Sequence, residues 1–300
     1  MNQKKLHGLK IGMCLLLVIL IGRLLFIQSK EKETEPLKQQ SIIGWEDDLE
    51  VFVSLENEAV KEISENPSNN LPAYTSLYPN LYAEPLEVTT MKEDGPKTAY
   101  LTFDDGPSNR TCEVLDILDK ANIKATFFIV GETITEKGKE CLKQMVEDGH
   151  TIGLHTYSHN YKKLYSSVES FLEDYDKLYQ LIYEITGIKP NIFRFPGGST
   201  NSFVKKIKQE VIIEMERRGF TFYDWNVSAE DSVGKPTAYS IMKNIRKDYN
   251  RFHYPVVLMH DSEKNSLTVS LLPEIISEIK EAGYIFDTVD NRTPCQFSWK

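Results

Sequence analysis

The sequence predicts an α/β fold, a (β/α) barrel of about seven parallel strands over residues 96–300. Three observations predict it. From Lys97 onward, short apolar runs alternate with stretches of helical spacing, the pattern of βα units around a parallel sheet. Reactive side chains stand at the ends of four of these runs, where the active sites of such barrels gather. No GxGxxG turn follows the first run, so an open dinucleotide-binding sheet is unsupported.

In chain order the strands read "AYLTF", "ATFFIV", "HTIGL", "NIFRF", "FTFYDW", "PVVLM" and "YIFDTV". Between the first two, Val114, Leu115, Ile117 and Leu118 share a helical face, and later Leu172, Tyr175, Leu178, Tyr179 and Leu181 do likewise. No internal repeat is visible.

The first 95 residues differ in composition. Residues 1–30 carry five basic and no acidic side chains, with an apolar run over residues 11–27 broken only by Arg23. Seventeen residues is the short limit for a bilayer span, and "RLLFIQSKEKE" offers no small-x-small cleavage site. Residues 1–28 therefore read as a cytoplasmic flank and an uncleaved, single-pass signal-anchor, with the rest of the chain extracytoplasmic at the cell membrane. Residues 29–95 read as an acidic stalk with a small ordered element: residues 31–95 hold four basic against fifteen acidic side chains and a Pro/Asn/Tyr-rich stretch. Residues 96–300 are nearly balanced, 26 basic to 29 acidic, and no basic stripe supports a nucleic-acid partner. No protein partner is expected. Outside the anchor stand Cys112, Cys141 and Cys295, without CxxC spacing. That excludes a thiolate zinc site, and inert packing is favoured over a Cys112–Cys141 bridge.

The chemistry sits at four strand ends. "YLTF" is followed by Asp104 and Asp105, "HTIGL" by His155 and His159, "NIF" by Arg194, and "VVLM" by His260 and Asp261. His155 and His159, spaced i and i+4, are expected on one face of a helical turn. With a carboxylate they make a three-ligand site for a divalent ion. Adjacent aspartates repel unless their surroundings differ. One is expected to ligate and the other to accept a proton from water, with the fork of Arg194 fixing one of them. Gly197 and Gly198 permit close approach of a ligand to backbone N–H groups. His260 emerges from a buried strand as a general acid. His150 and His253 read as structural.

"TFDDGP", "HTYSH", "RFPGG" and "LMH", in this order and spacing, resemble the polysaccharide deacetylase family, carbohydrate esterase family 4. The resemblance covers roughly residues 96–290 and implies a distorted barrel with an incomplete ring of strands. It implies that Asp104 is the catalytic base, that Asp105, His155 and His159 hold the metal, and that Arg194 orients Asp104. It further implies that His260 is the acid and that Leu258 lines a pocket for the acetyl methyl. The family's third motif usually runs R-x-P-[YF], and Gly197 stands here in place of the aromatic. Its fourth motif supplies an aspartate and a tryptophan behind the acid histidine; "YDWNVSAEDS" offers Asp231, favoured by its distance from Trp225, or Asp224.

Together these readings imply metal-dependent release of acetate from an N-acetylated polysaccharide, with the N-acetylglucosamine of peptidoglycan favoured by location and family. Chitin-like oligomers, exopolysaccharide and O-acetyl xylan use the same chemistry. Zinc is the favoured ion, and the ligand set also accepts cobalt, nickel or manganese. A non-catalytic glycan-binding protein is the competing class; it predicts a damaged residue set, and every member is present.

Overall fold

The structure is a computed structural model and describes residues 72–87, 90–92 and 94–294. The expected anchor, most of the stalk and Cys295 lie outside these residues. Among the described residues, no helix is long and apolar enough to cross a membrane.

Eight strands, β1 (Thr98–Asp104), β2 (Thr126–Val130), β3 (Thr151–Thr156), β4 (Ile192–Phe193), β5 (Thr221–Phe222), β6 (Val227–Ser228), β7 (Val256–His260) and β8 (Ile285–Phe286), form one sheet. Among the described residues seven helices accompany them: α1 (Asn109–Ala121), α2 (Glu136–Glu147), α3 (Tyr161–Leu164), α4 (Val168–Thr186), α5 (Lys208–Arg217), α6 (Ala238–Asp248) and α7 (Ser266–Glu281). The strand order is β5-β4-β3-β2-β1-β7-β6, and β8 pairs with the start of β1. Every pairing is parallel.

The run "FTFYDW" does not form one strand as expected. It supplies β5, and the chain then crosses to β6 on the opposite edge of the sheet. Residues 223–226 make the crossing. The Tyr223 N–H donates to the Phe193 carbonyl at 2.9 Å and the Asn226 N–H to the Val256 carbonyl at 3.2 Å. Five Cα-to-Cα steps separate Phe222 from Val227 and reach at most about 18 Å, so the two edges face each other across a narrow gap. This is the incomplete ring of a distorted barrel.

All seven residues of β1 are buried, as befits a central strand covered on both faces. Helix α1 starts on a Ser108–Thr111 capping box and buries Val114, Leu115 and Leu118. Helix α4 starts on Ser167, ends at left-handed Gly187, and buries Leu172, Tyr175, Leu178 and Tyr179 as expected, with Ile182 rather than Leu181 completing the stripe.

One reading changes. Cys112 of α1 and Cys141 of α2 form a disulfide, their Cα atoms 5.7 Å apart, because the two βα units are neighbours in the sheet. Described residues ahead of β1, within the segment read as a stalk with a small ordered element, pack on this α/β unit. Leu81 is fully buried, and the buried Arg218 donates to the carbonyls of Leu77 at 2.8 Å and Tyr78 at 2.9 Å. Its Nε is held by Glu214 at 2.7 Å.

Candidate active site

Register brings the strand ends to one level. Asp104 pairs with His260 and Thr102 with Leu258 across β1 and β7. Because alternate residues of a strand share a face, Thr102, Asp104, Leu258 and His260 look the same way. Beyond β1 the chain turns sharply. Asp105 sits in the left-handed region at φ 73°, where aspartate is one of the few tolerated side chains. The turn lets two adjacent carboxylates approach one imidazole: His155 Nε2 lies 3.8 Å from Asp104 Oδ2 and 3.6 Å from Asp105 Oδ1.

His159 Nε2 lies 3.3 Å from the same Asp105 oxygen. The two histidines do not share a helical turn, as their spacing suggests. His155 lies within β3, one residue before its end, and His159 follows in a loop at φ 50°. Donor atoms of Asp105, His155 and His159 all lie within 4.8 Å of one another. Asp105 Oδ1 is buried and has no hydrogen-bond partner, a costly state for a carboxylate oxygen unless a cation sits there. Burial pushes the pKa of His155 down, against the pull of Asp104 and Asp105. Its Nδ1 lies 2.9 Å from the Arg194 carbonyl; that acceptor puts the proton on Nδ1 and frees the Nε2 lone pair for a metal. The residues fit a divalent cation.

Asp174 of α4 organises this loop and is a residue that sequence reading misses. Its buried carboxylate accepts hydrogen bonds from the Thr156 hydroxyl (2.5 Å), the Tyr157 N–H (2.6 Å), and the Ser158 N–H (3.1 Å) and hydroxyl (2.6 Å). Thr156 Oγ1 in turn accepts from the His159 N–H at 3.2 Å. The available signal is one acid on an otherwise apolar helix face, beside Leu172 and Tyr175.

Arg194 is fully buried. Nη1 donates to Asp104 Oδ1 and to Thr102 Oγ1, each at 2.8 Å, and Nε donates to the Tyr223 carbonyl at 2.9 Å. The guanidinium also lies over the Phe128 ring, 4.1 Å from its centroid. Of the two expected arginine partners, it therefore takes Asp104.

Across the site, Asp231 holds His260. Its carboxylate accepts the backbone N–H at 2.9 Å and lies 2.8 Å from Nδ1. Burial alone would lower the pKa of His260, but the Asp231 hydrogen bond and charge, with Asp104 and Asp105 beyond, outweigh it and raise it to about 9. Asp224 does something else: it accepts from the Ser199 N–H at 2.9 Å and hydroxyl at 2.5 Å. Trp225 packs over Gly198 and stands 5.6 Å from the Arg194 guanidinium. Leu258 is nearly buried below His260 and is not among the residues lining the adjacent cavity.

Asp261 braces the "DDG" turn. It accepts from Thr111 Oγ1 at 2.5 Å and packs against Gly106, where no Cβ has room. Burial, with Asp105 and Asp104 nearby, pushes its pKa up to about 7. A cavity of about 580 Å³ opens from Asp105 and His159 to Asp231, Ser232 and Glu263, within the usual size of a ligand site.

The model of the polysaccharide deacetylase family matches residues 91–215. A peptidoglycan-N-acetylglucosamine deacetylase of Bacillus cereus is 32% identical over 200 residues, covering 64% of this chain and 68% of that one. The chain belongs to the polysaccharide deacetylase family. This deacetylase is similar in structure to the catalytic domain of peptidoglycan N-acetylglucosamine deacetylase from Eubacterium rectale, with a TM-score of 0.63 and 32% identity over 70% of this chain and 97% of that one. A family 4 acetyl xylan esterase from Clostridium thermocellum, in complex with a cobalt ion, matches at a TM-score of 0.54 and 29% identity, covering 64% and 88%. The deacetylase is a hydrolase of a metal-dependent family, and Asp105, His155 and His159 are its candidate ligands.

Proposed function

We propose that this chain is a membrane-anchored, extracytoplasmic deacetylase that removes N-acetyl groups from the N-acetylglucosamine of peptidoglycan, with zinc as its cation. The observation that carries the reading is the contact of Asp104 with Arg194 beside the Asp105/His155/His159 set. It divides two adjacent carboxylates between two duties.

A divalent cation bound there supplies Lewis acidity, polarising an acyl carbonyl and lowering the pKa of water. Asp104, aimed by Arg194, accepts the proton of the attacking water. The Gly197 N–H donates to no group among the described residues and is available to the oxyanion that develops on the carbonyl. His260 carries its proton at neutral pH and passes it from Nε2 to the departing nitrogen, while Asp231 fixes Nδ1. Acetate and a free amino sugar leave.

The relatives named above support the substrate class. Two imidazoles and one carboxylate suit zinc with an open position. The Cys112–Cys141 disulfide suits an oxidising, extracytoplasmic compartment, as do the basic flank and apolar run of residues 1–28. The test measures acetate released by the full chain from peptidoglycan, N-acetylglucosamine oligomers and acetylated xylan. Release from peptidoglycan is expected to dominate, to stop on chelation, to return with zinc, and to be absent in Asp104→Asn. No release from any of the three glycans by the metal-loaded chain would overturn the reading.

A further inference from the structure

Next to the cavity at Asp105 and His159 lies a shallow, open surface groove of about 570 Å³, lined by His159, Asn160, Tyr161, Lys162 and Phe203. His159 lines both, so the groove and the cavity meet at one member of the metal-ligand set.

Tyr161 fills the space that a side chain at Gly197 would need. A Cβ there would lie 2.9 Å from the Tyr161 ring, and the backbone at Gly197 has φ 75°. The ring makes edge contacts with His159 (centroids 5.3 Å apart) and Phe203 (5.6 Å apart).

Phe203 is 49% exposed, a large apolar side chain left in water. Its backbone is nevertheless tightly held. Asn201 Oδ1 accepts from the N–H groups of Phe203 (2.9 Å) and Val204 (3.1 Å), and Asn201 Nδ2 donates to the carbonyls of Gly198 (2.7 Å) and Pro196 (3.0 Å). The exposed ring is thus tied to the same loop that begins at Arg194. A fixed, exposed aromatic beside a reactive centre is the form of a ligand platform, because little ordering entropy remains to be lost on binding.

We propose that Tyr161 and Phe203 form a binding platform for the sugar next to the one being deacetylated. The proposal rests on the deacetylase reading above. The apolar face of a pyranose ring lies on Phe203, while the Tyr161 hydroxyl and the Lys162 ammonium offer donors to ring hydroxyls. With the groove and the cavity meeting at His159, the enzyme gains from a longer chain.

The experiment measures kcat/KM of the metal-loaded full chain for acetate release from N-acetylglucosamine oligomers of two to five units. The wild type is expected to rise with length. Phe203→Ala is expected to lose about tenfold of the ratio between the five-unit and two-unit substrates, mainly through KM, and Phe203→Tyr to recover it. Tyr161→Phe, which keeps the ring and removes the hydroxyl, is expected to lose a smaller part. An unchanged length ratio in Phe203→Ala, with the wild type active, overturns the platform and leaves the deacetylase reading standing. A wild type that releases no acetate from any oligomer defeats that reading itself.

Discussion

One aspartate grips one histidine at two points: Asp231 accepts the His260 backbone N–H at 2.9 Å and faces its Nδ1 at 2.8 Å. Thr268 Oγ1 donates to the same carboxylate at 2.7 Å, and β7 delivers the histidine beside Asp104. The ring is fixed in place, with Nε2 as the nitrogen left to give a proton. The neighbours Asp231, Asp104 and Asp105 favour the charged ring over the burial that opposes it.

A pH profile follows from this arrangement. The acid form of His260 is the protonated one, so activity should fall as pH rises through its pKa of about 9. In Asp231→Asn the main supporting charge is gone, and the alkaline limb of kcat/KM should move down toward the ordinary value of 6.5. The same proton stabilises the fold fully below pH 6.5, and that contribution fades as pH rises through about 9. Initial rates of acetate release from pH 5 to 10 in both proteins check it. An identical alkaline limb in the variant would remove His260 from the acid role.

Asp174 reaches the metal set only through the loop it ties. Asp174→Ala leaves the N–H groups of Tyr157 and Ser158 without their acceptor and removes the support under Thr156, which holds the His159 N–H. Losing such outer support costs metal affinity about 10- to 100-fold. A competition titration with a chromophoric chelator measures this directly, without turnover. Asp174→Asn, which keeps the acceptor oxygen, is expected to lose less.

What could be read in the sequence divides along a physical line. Asp104, Asp105, His155, Arg194 and His260 were legible because each follows a buried apolar run, and a polar group there needs a reason. Asp174 and Tyr161 were not, since each acts through a loop conformation that no periodicity encodes. The loop matters again at His159: i, i+4 spacing suggests a helix, yet φ 50° at that residue places its ring by a turn. The strand β6 was hidden because two residues carry no period. The edge-to-edge crossing at residues 223–226 was hidden for a related reason, that it depends on sheet closure and not on local pattern. Asp231 was separable from Asp224 only weakly in the sequence. In the fold the two part company, one on His260 and the other on Ser199.

The Cys112–Cys141 bridge joins neighbouring helices across a sequence separation of 29 residues. Closing a loop of that length restricts the unfolded chain, and the double change Cys112→Ser, Cys141→Ser should lower stability by about 2–4 kcal/mol. The cysteines lie on α1 and α2, away from the residues that line the cavities. Urea unfolding under oxidising conditions should therefore show a lower midpoint for the variant. Reductant should lower the wild-type midpoint to match it, and leave the variant where it was.

The ordered segment before β1 offers the last test, because it sets where the catalytic unit begins. Arg218 is fully buried and spends its guanidinium on Glu214 and on carbonyls of the segment, among them Leu77 and Tyr78. The Arg218 carbonyl accepts from the Ala83 N–H at 2.9 Å, and Tyr179 donates its hydroxyl to the Tyr82 carbonyl. Removing residues 1–95 would expose the site of Leu81, a loss of about 1.5–3 kcal/mol. It would also strand donors of a buried arginine, at about 1–3 kcal/mol or more. Removing residues 1–71 touches none of these contacts. The shorter deletion is therefore expected to give a protein with a full-strength, cooperative thermal transition, and the longer one a protein several degrees less stable or insoluble. Arg218→Met in the shorter form separates the two terms, since it removes the arginine's hydrogen bonds and keeps Leu81 in place. Equal transition midpoints for the two deletions would mean that residues 72–95 contribute nothing to the catalytic unit.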